Sequence, residues 1–517
     1  MDAAPQAASR SAAIRARLGH PIIDTDGHAA EFEPLFFDHL AALGGIAMVE
    51  RFKRSPDIGF HFGWHQLSPA ERRAQRAMRP NWWAHPTRNT LDRATSSLPA
   101  LMHERLDEMG LDFSIIYPSV GLNSPAIWEE DLRRSACRAL NNYHAEIFRP
   151  YRDRLTPVAT IPMHTPVEAL DELEHAVRGL GYKAIVMPAY VRRPIPALAA
   201  RAPELERRLV WFDTFALDSE YDYDPVWAKC LELKVAPTFH CKGTGIGFRN
   251  SISNFMYNHI GHFAATAEAI CKSLFFGGVT RRFPALRFAF QEGGVGWARV
   301  LYGDLIGHFK MHGMHALAQF DPANLDRQLF RALCLQYGGS RFYEKFPKSA
   351  DEVSDVMWGR PEDPADLDEF ALAGITQPAD VRERFVPNFF FGCEGDDRVT
   401  PWAFDTRRTP LGVKLNAIYG SDIGHRDLAD MRNATAEAYE LVEEGLITEG
   451  DFREFVFVNP VKLHAGMNPD FFKGTVVERA VDELLAGWHA QDGAGGEQTV
   501  TGASGGMLGA RPGSRVK

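Results

Sequence analysis

Short apolar runs alternate with amphipathic stretches along most of this chain. Eight runs stand out, at 22–26, 113–118, 156–163, 184–188, 236–241, 287–292, 389–394 and 417–422. Each reads as a strand. Helical periodicity fills several of the gaps between them. Over 129–148, Leu132, Cys137, Leu140, Tyr143 and Ile147 recur at helical spacing. Over 166–180, Val167, Leu170, Leu173 and Val177 form an apolar stripe. A third helix is predicted over 224–233, just before the fifth run. Such alternation implies parallel strands joined by right-handed crossovers. Eight of them predict an α/β fold, a distorted (β/α)8 TIM barrel with long helical insertions. An open doubly wound sheet is the competing arrangement. It usually carries a Gly-rich phosphate loop after its first strand, and none follows Ile23.

Two connections exceed plain barrel loops. One spans about 29–111 and contains Trp64, Trp82, Trp83 and His85; the other spans about 297–387 and includes the acidic stretch 361–369. Long insertions in compact domains tend to serve as lids, caps or subunit contacts. The expected organisation is one barrel domain over 19–490, a disordered arm over 1–18, and a disordered Gly/Ser/Thr-rich tail over 491–517. A homo-oligomer, dimer or tetramer, is expected from the insertions.

Composition narrows the function classes. The 517 residues are 45% hydrophobic, enough for a large core. A net charge of −10 without a long basic block argues against nucleic-acid binding. Thirty-five Phe, thirteen Tyr and ten Trp suffice to line an apolar pocket as well as a core. Six scattered cysteines without a CxxC pair suggest reduced thiols and a cytoplasmic protein. The first 18 residues lack the apolar segment of a secretory signal, and no run reaches the length of a membrane span.

Candidate chemistry lies at the strand ends. The first run leads into Asp24-Thr25-Asp26-Gly27-His28. In an extended segment Asp24, Asp26 and His28 point to one side, where oxygen and nitrogen ligands could hold a divalent metal. Taken alone, the same residues also read as a turn. The fifth run ends at His240, the sixth at Gln291-Glu292, the seventh at Glu394 and the eighth at Asp422. A single Asp or His there often caps the next helix, and Asp422 alone fits that role. Ligand types at the ends of strands one, five and eight together are harder to explain by capping, because catalytic residues of a barrel gather at that rim. Asp26, His28, His240 and Asp422 would form a mixed site for one divalent metal, with Zn the first expectation and Mn or Fe(II) also suited.

With those residues in place, the chain resembles the amidohydrolase superfamily, in the branch typified by aminocarboxymuconate semialdehyde decarboxylase. The resemblance rests on an ordered set of segments: 24–28, 139–143, 181–188, 237–240, 276–284, 419–425 and Asn459-Pro460. It implies metal ligands at 26, 28, 240 and 422. Two departures stand out. The first pair is Asp26-x-His28 where His-x-His or Glu-x-His is common, and Glu292 stands at or next to the place of a catalytic His.

The expected activity is therefore metal-dependent hydrolysis or non-oxidative decarboxylation of a small aromatic or carboxylated substrate. Glu292 and His425 are the candidate proton-handling residues. A structural salt bridge is the plainer role for Glu292, and a helix-cap contact for His425. Arg51, His259, His262 and Trp297 are candidate substrate contacts. For Arg51, with Lys53 and Arg54, a solvated face is the plainer role; for the two histidines it is packing. Glu394, Asp396 and Asp397 read as a solvated loop. The alternative from another class is a barrel that binds or scaffolds without catalysis.

Overall fold

The computed structural model describes residues 8–58, 64–81, 88–319, 324–340 and 367–494. Trp82, Trp83 and His85, most of the acidic stretch 361–369 and most of the tail 491–517 lie outside the described residues.

Eight parallel strands form one sheet in sequence order: β1 Ile23–Ala29, β2 Phe113–Pro118, β3 Leu155–Thr160, β4 Ala184–Met187, β5 Pro237–His240, β6 Phe288–Gln291, β7 Phe389–Glu394 and β8 Asn416–Gly420. The sheet curls until its edges meet. Asp422 N–H donates to the Asp26 carbonyl at 3.0 Å, and His28 N–H donates to the Ile423 carbonyl at 2.7 Å. The barrel thus closes through the two segments that carry its candidate ligands. Helices surround it, as the βα alternation predicts.

Side chains alternate between two layers. In β6, Phe288 and Phe290 pack among Phe239, Phe389 and Phe391, between the sheet and its helices. Gln291, of opposite parity, donates to the Thr25 carbonyl at 2.9 Å and to the Tyr117 hydroxyl at 3.0 Å. Tyr117 in turn donates to Thr238 at 2.8 Å. The barrel interior below the rim is therefore a polar layer tying four strands together. The donors of this layer find acceptors, which limits the cost of burying it, although Gln291 Oε1 is left without a partner.

β1 carries a bulge. Asp24 pairs with Ser114 and Gly27 with Ile116, so three steps on β1 match two on β2. Gly27 has no alternative there. A Cβ would lie 2.6 Å from Ser114 Oγ and 2.8 Å from the Asp24 carboxylate.

Three features differ from expectation. The arm over 1–18 is not wholly disordered: Arg10–Arg17 is a helix capped by Ser9, with Ser11 and Ile14 buried. It is too short to be stable alone, and packing against the helix Ala434–Glu443 holds it. An antiparallel hairpin, Val191–Pro194 with Val210–Asp213, lies between β4 and β5. Its charged sequence hides a buried Arg193–Asp213 pair. The helix over 166–180 ends as α-helix at Leu173 and continues as one π-helical segment, Glu174–Gly179.

The first insertion holds a helix at Glu33–Arg54, kinked at Gly45, where φ is +70°. Phe36, Leu40, Val49 and Phe52 of this helix pack on Leu132, Ala136 and Tyr143 of the helix Glu130–Phe148. The second holds Gly296–His312, Arg327–Tyr337 and Pro378–Phe385. All six cysteines are free thiols. No helix among the described residues is long and apolar enough to cross a membrane.

Candidate metal centre

Strand ends bring Asp26, His28, His240, Glu292, Asp422 and His425 to one rim of the barrel. They form two overlapping groups, Asp26–His28–His240 and His28–Glu292–Asp422–His425, whose ligand atoms lie within 4.8 Å of one another. All six side chains are largely buried, His28 completely so. His28 Nε2 lies 3.4 Å from Asp26 Oδ1 and 3.4 Å from Asp422 Oδ1. His240 Nε2 lies 3.1 Å from Glu292 Oε2.

Hydrogen bonding shows what these atoms are turned toward. His28 Nδ1 lies 3.3 Å from the Pro118 carbonyl, which places the ring proton on Nδ1 and turns the Nε2 lone pair to the cluster. Asp26 Oδ1, His28 Nε2, His240 Nε2, Glu292 Oε2 and both Asp422 oxygens are buried without a hydrogen-bond partner. Six orphaned atoms converging in one place would be costly as an empty polar cluster. They fit a cation. Donors about 2.1 Å from a common centre at tetrahedral angles stand about 3.4 Å apart, the separation of His28 from its two carboxylates. The donor set, imidazole plus carboxylate, suits one divalent metal.

The electrostatics agree. Burial raises the Asp26 carboxyl above its ordinary range, partly offset by the neighbouring His28. Burial, followed by repulsion from Glu292 and Glu394, pushes Asp422 well up. Burial, followed by Glu394 and Asp26, does the same to Glu292. Burial drives His240 well below the ordinary imidazole value, so it stays neutral, the form that ligates metal. A raised carboxyl keeps a proton in the fold that the unfolded chain releases. Metal-free protein should therefore lose stability as pH rises out of the ordinary carboxylate range through the raised values. Metal should reverse that trend by displacing the protons. Melting temperatures from about pH 5 to 8 are expected to fall for chelator-treated protein and to hold for metal-loaded protein. Parallel curves would contradict this charge assignment.

Two backbone positions are strained. Glu292 has φ +55° and Asp422 φ +51°, the left-handed region that non-glycine residues rarely occupy. Asp24 supports the second. Its carboxylate accepts from the Ser421 N–H and Oγ–H, each at 2.8 Å, from the Asp26 N–H at 3.1 Å, and from Ser114. It joins β1 to the segment after β8, and burial raises its pKa to about 6.

His425 stacks on His28 with ring centres 3.7 Å apart. Its Nδ1 lies 2.8 Å from Asp422 Oδ1 and 4.0 Å from Glu292 Oε1, and its Nε2 lies 3.0 Å from Ser119 Oγ.

A family model described as amidohydrolase matches residues 81–341, just over half of the chain. The chain belongs to the amidohydrolase family. The matched span of this amidohydrolase includes His240 and Glu292; Asp26, His28 and Asp422 fall outside it and are placed by geometry. Similar solved structures include an amidohydrolase from Mycobacterium avium subsp. paratuberculosis K-10, at 17% identity and TM-score 0.49, covering 86% of this chain and 99% of that one. A dihydroxybenzoic acid decarboxylase from Polaromonas sp. JS666, with bound manganese and 2-nitroresorcinol, shows 15% identity and TM-score 0.43 over 86% and 97%. A 5-carboxyvanillate decarboxylase from Novosphingobium aromaticivorans DSM 12444, complexed with manganese, shows 15% identity and TM-score 0.41 over 86% and 96%.

Two expected substrate contacts are not at the amidohydrolase rim. Arg51 forms an exposed two-pronged ion pair with Asp131, at 2.6 and 2.8 Å, on the outer helix layer. A flexible cation at the end of a surface helix finds the nearest carboxylate. Trp297 packs edge-on against Phe290 and Phe391, whose parity turns them away from the barrel interior. His259 and His262 do lie near the centre, separated from His240 by the ring of Phe263. The fold adds three contributors to the candidate set. Glu394 is one: it pairs in register with Gly420, and its charge acts on Glu292 and Asp422, so it belongs to the rim and not to a solvated loop. Its position at a strand end is the signal the sequence offers. Ser119 and Gln291 carry no such signal, since hydroxyl and amide side chains at strand ends are common.

Proposed function

We propose that this amidohydrolase-family protein catalyses the non-oxidative decarboxylation of an arene carboxylate that bears a metal-binding oxygen. The reaction replaces a ring carboxylate by hydrogen: the carbon–carbon bond breaks, CO2 leaves, and the electron pair left on the ring carbon takes up a proton. The observation that supports this reading is Glu292. Its carboxyl faces the ligand set, has one oxygen without a hydrogen-bond donor to hold its charge, and sits among Asp26, Asp422 and Glu394. Such a carboxyl holds its proton to higher pH than an ordinary carboxylate, because burial and then the neighbouring charges of Glu394 and Asp26 disfavour ionisation, and is suited to deliver it to carbon.

A divalent metal held by Asp26, His28, His240 and Asp422 would supply Lewis-acid polarisation of a substrate oxygen. Manganese and iron suit this oxygen-rich set as well as zinc does. The chain's own residues do the rest. Asp24 and the Ser421 amide hold the strand-eight end in place. The Pro118 carbonyl fixes the His28 ring. Glu292 holds the proton at its carboxyl oxygen and passes it to the substrate.

Hydrolysis is the second reading, and His425 is the observation that favours it. Its Nδ1 stands beside Asp422 and its Nε2 beside Ser119, a placement suited to accepting a proton from water. One experiment separates the two. Metal-loaded protein is given a panel of hydroxybenzoates and their methyl esters in water enriched in the heavy oxygen isotope. CO2 release from the acids is the expected result. Heavy oxygen in acid products from the esters, without CO2 release, would replace decarboxylation by hydrolysis. Neither product, together with no retained metal, would favour a binding protein.

A further inference from the structure

The helix Glu33–Arg54 buries Phe36, Leu40, Val49 and Phe52 against the helix Glu130–Phe148. The rest of its apolar surface is bare. Six consecutive residues, Ala42-Leu43-Gly44-Gly45-Ile46-Ala47, are exposed, and none has a polar side chain. Ile46 is 71% exposed and Leu43 45%. Leu35 and Phe32, at 46% and 51%, extend the surface toward the N-terminus. Leu35, Ala42 and Leu43 stand seven and eight residues apart, on one helix face. Single exposed hydrophobic residues are ordinary, but a continuous apolar surface marks a contact.

The shape of this surface matches itself. Leu43 and Ile46 supply bulk, and Gly44 and Gly45 between them supply a hollow. A Cβ at Gly45 would meet nothing within 4 Å, so the backbone there is open to an approaching side chain. Gly45 sits at φ +70°, which glycine adopts without strain, so the kink itself keeps the hollow. A patch that carries both bulk and hollow can receive a second copy about a two-fold axis. The charges at the helix ends agree. Glu33 and Asp38 are exposed acids in its first half, and no basic side chain among the described residues pairs with either. Lys53 and Arg54 are exposed at its end and share one acid, Glu50, at 3.5 and 3.6 Å, a surface contact of little worth. Glu33 lies eleven residues before Gly44 and Arg54 ten after it. An antiparallel pair centred there sets the acids of each copy beside the bases of the other, whereas a parallel pair sets like charges together. Acids first and bases last also suit the helix dipole, but the dipole accounts for the ends and not for the apolar middle.

We propose that the helix Glu33–Arg54 is a contact between two copies of this chain, paired antiparallel about a two-fold axis near Gly44 and Gly45. Leu43 and Ile46 are buried at the centre of the pair, and the charged ends form its rim, the arrangement of a stable protein interface. The first insertion is then a subunit contact. The proposal is independent of the reaction assigned to the metal centre.

The test is sedimentation of the full-length protein over a range of concentrations. The parent is expected to self-associate. Ile46→Lys should weaken that association about 100-fold or more, because the two-fold axis brings both new charges into the apolar centre. Its circular dichroism spectrum should match the parent's, since the position is exposed in the single chain. Glu33→Arg and Arg54→Glu, each alone, should weaken association about threefold or more, and the two together should restore it. A parent that sediments as a monomer would overturn the proposal, as would an Ile46→Lys variant that associates like the parent. Association lost in Ile46→Lys but not restored by the paired charge exchange would overturn the antiparallel pairing. A monomeric parent that floats with phosphatidylcholine vesicles would assign the patch to a lipid surface instead.

Discussion

Asp422→Asn is expected to lose metal while keeping its fold. Neither Asp422 oxygen has a hydrogen-bond partner, and its close polar neighbours, His425 Nδ1 at 2.8 Å and His28 Nε2 at 3.4 Å, can face the Asn side-chain carbonyl instead. The residue sits at φ +51°, which Asn tolerates better than most side chains, so the substitution adds no backbone strain. It also removes one of several mutually repelling carboxylates. The melting temperature of metal-free protein should hold or rise. Metal affinity should fall by more than about 100-fold, the upper range for losing a group that merely orients a ligand. Activity should fall by about a thousandfold or more, since polarisation by the metal is worth several kcal/mol of barrier. Elemental analysis after dialysis and a melting curve check both halves. Metal content and turnover near those of the parent would show that Asp422 is not a ligand.

Glu292→Gln is expected to keep metal and lose turnover. The amide preserves shape but carries no transferable proton. Loss of a positioned general acid costs about 100- to 10,000-fold in rate. The pH profile adds a check that packing alone would not move. The raised Glu292 carboxyl should make the parent's rate fall toward alkaline pH as the proton is lost, and the residual rate of the variant should lack that limb. A variant within a few-fold of the parent would remove Glu292 from the mechanism and direct attention to His425.

The barrel is legible because each strand is a local event. Runs such as 113–118 and 389–394 carry enough apolar residues to be read without knowledge of their neighbours, and the observed strands occupy the same ranges. The helix Asp224–Leu233 is equally local. The hairpin at Val191–Pro194 is not, because its arginines read as loop until Asp213 and Tyr223 neutralise and accept from Arg193. The helix Arg10–Arg17 is hidden for the same reason: its partner surface lies more than 400 residues away in the chain, at Ala436. Arg51 shows the opposite case. A cation near a predicted lid reads as a substrate contact, and only the fold reveals Asp131 beside it.

By itself the sequence determined the fold class and the residue types at the strand ends. Both come from short-range patterns: apolar runs must be buried, and the residues just after each run must lie at the rim. Tertiary structure decided the rest, because convergence is a property of distance in space. It placed Asp26 and His28 on a bulged strand against Asp422, closing the barrel through its candidate ligand segments. It gathered the orphaned polar atoms at one buried site, added Glu394, and turned His259 toward Arg426. Those outcomes depend on contacts between segments hundreds of residues apart, which no local pattern encodes.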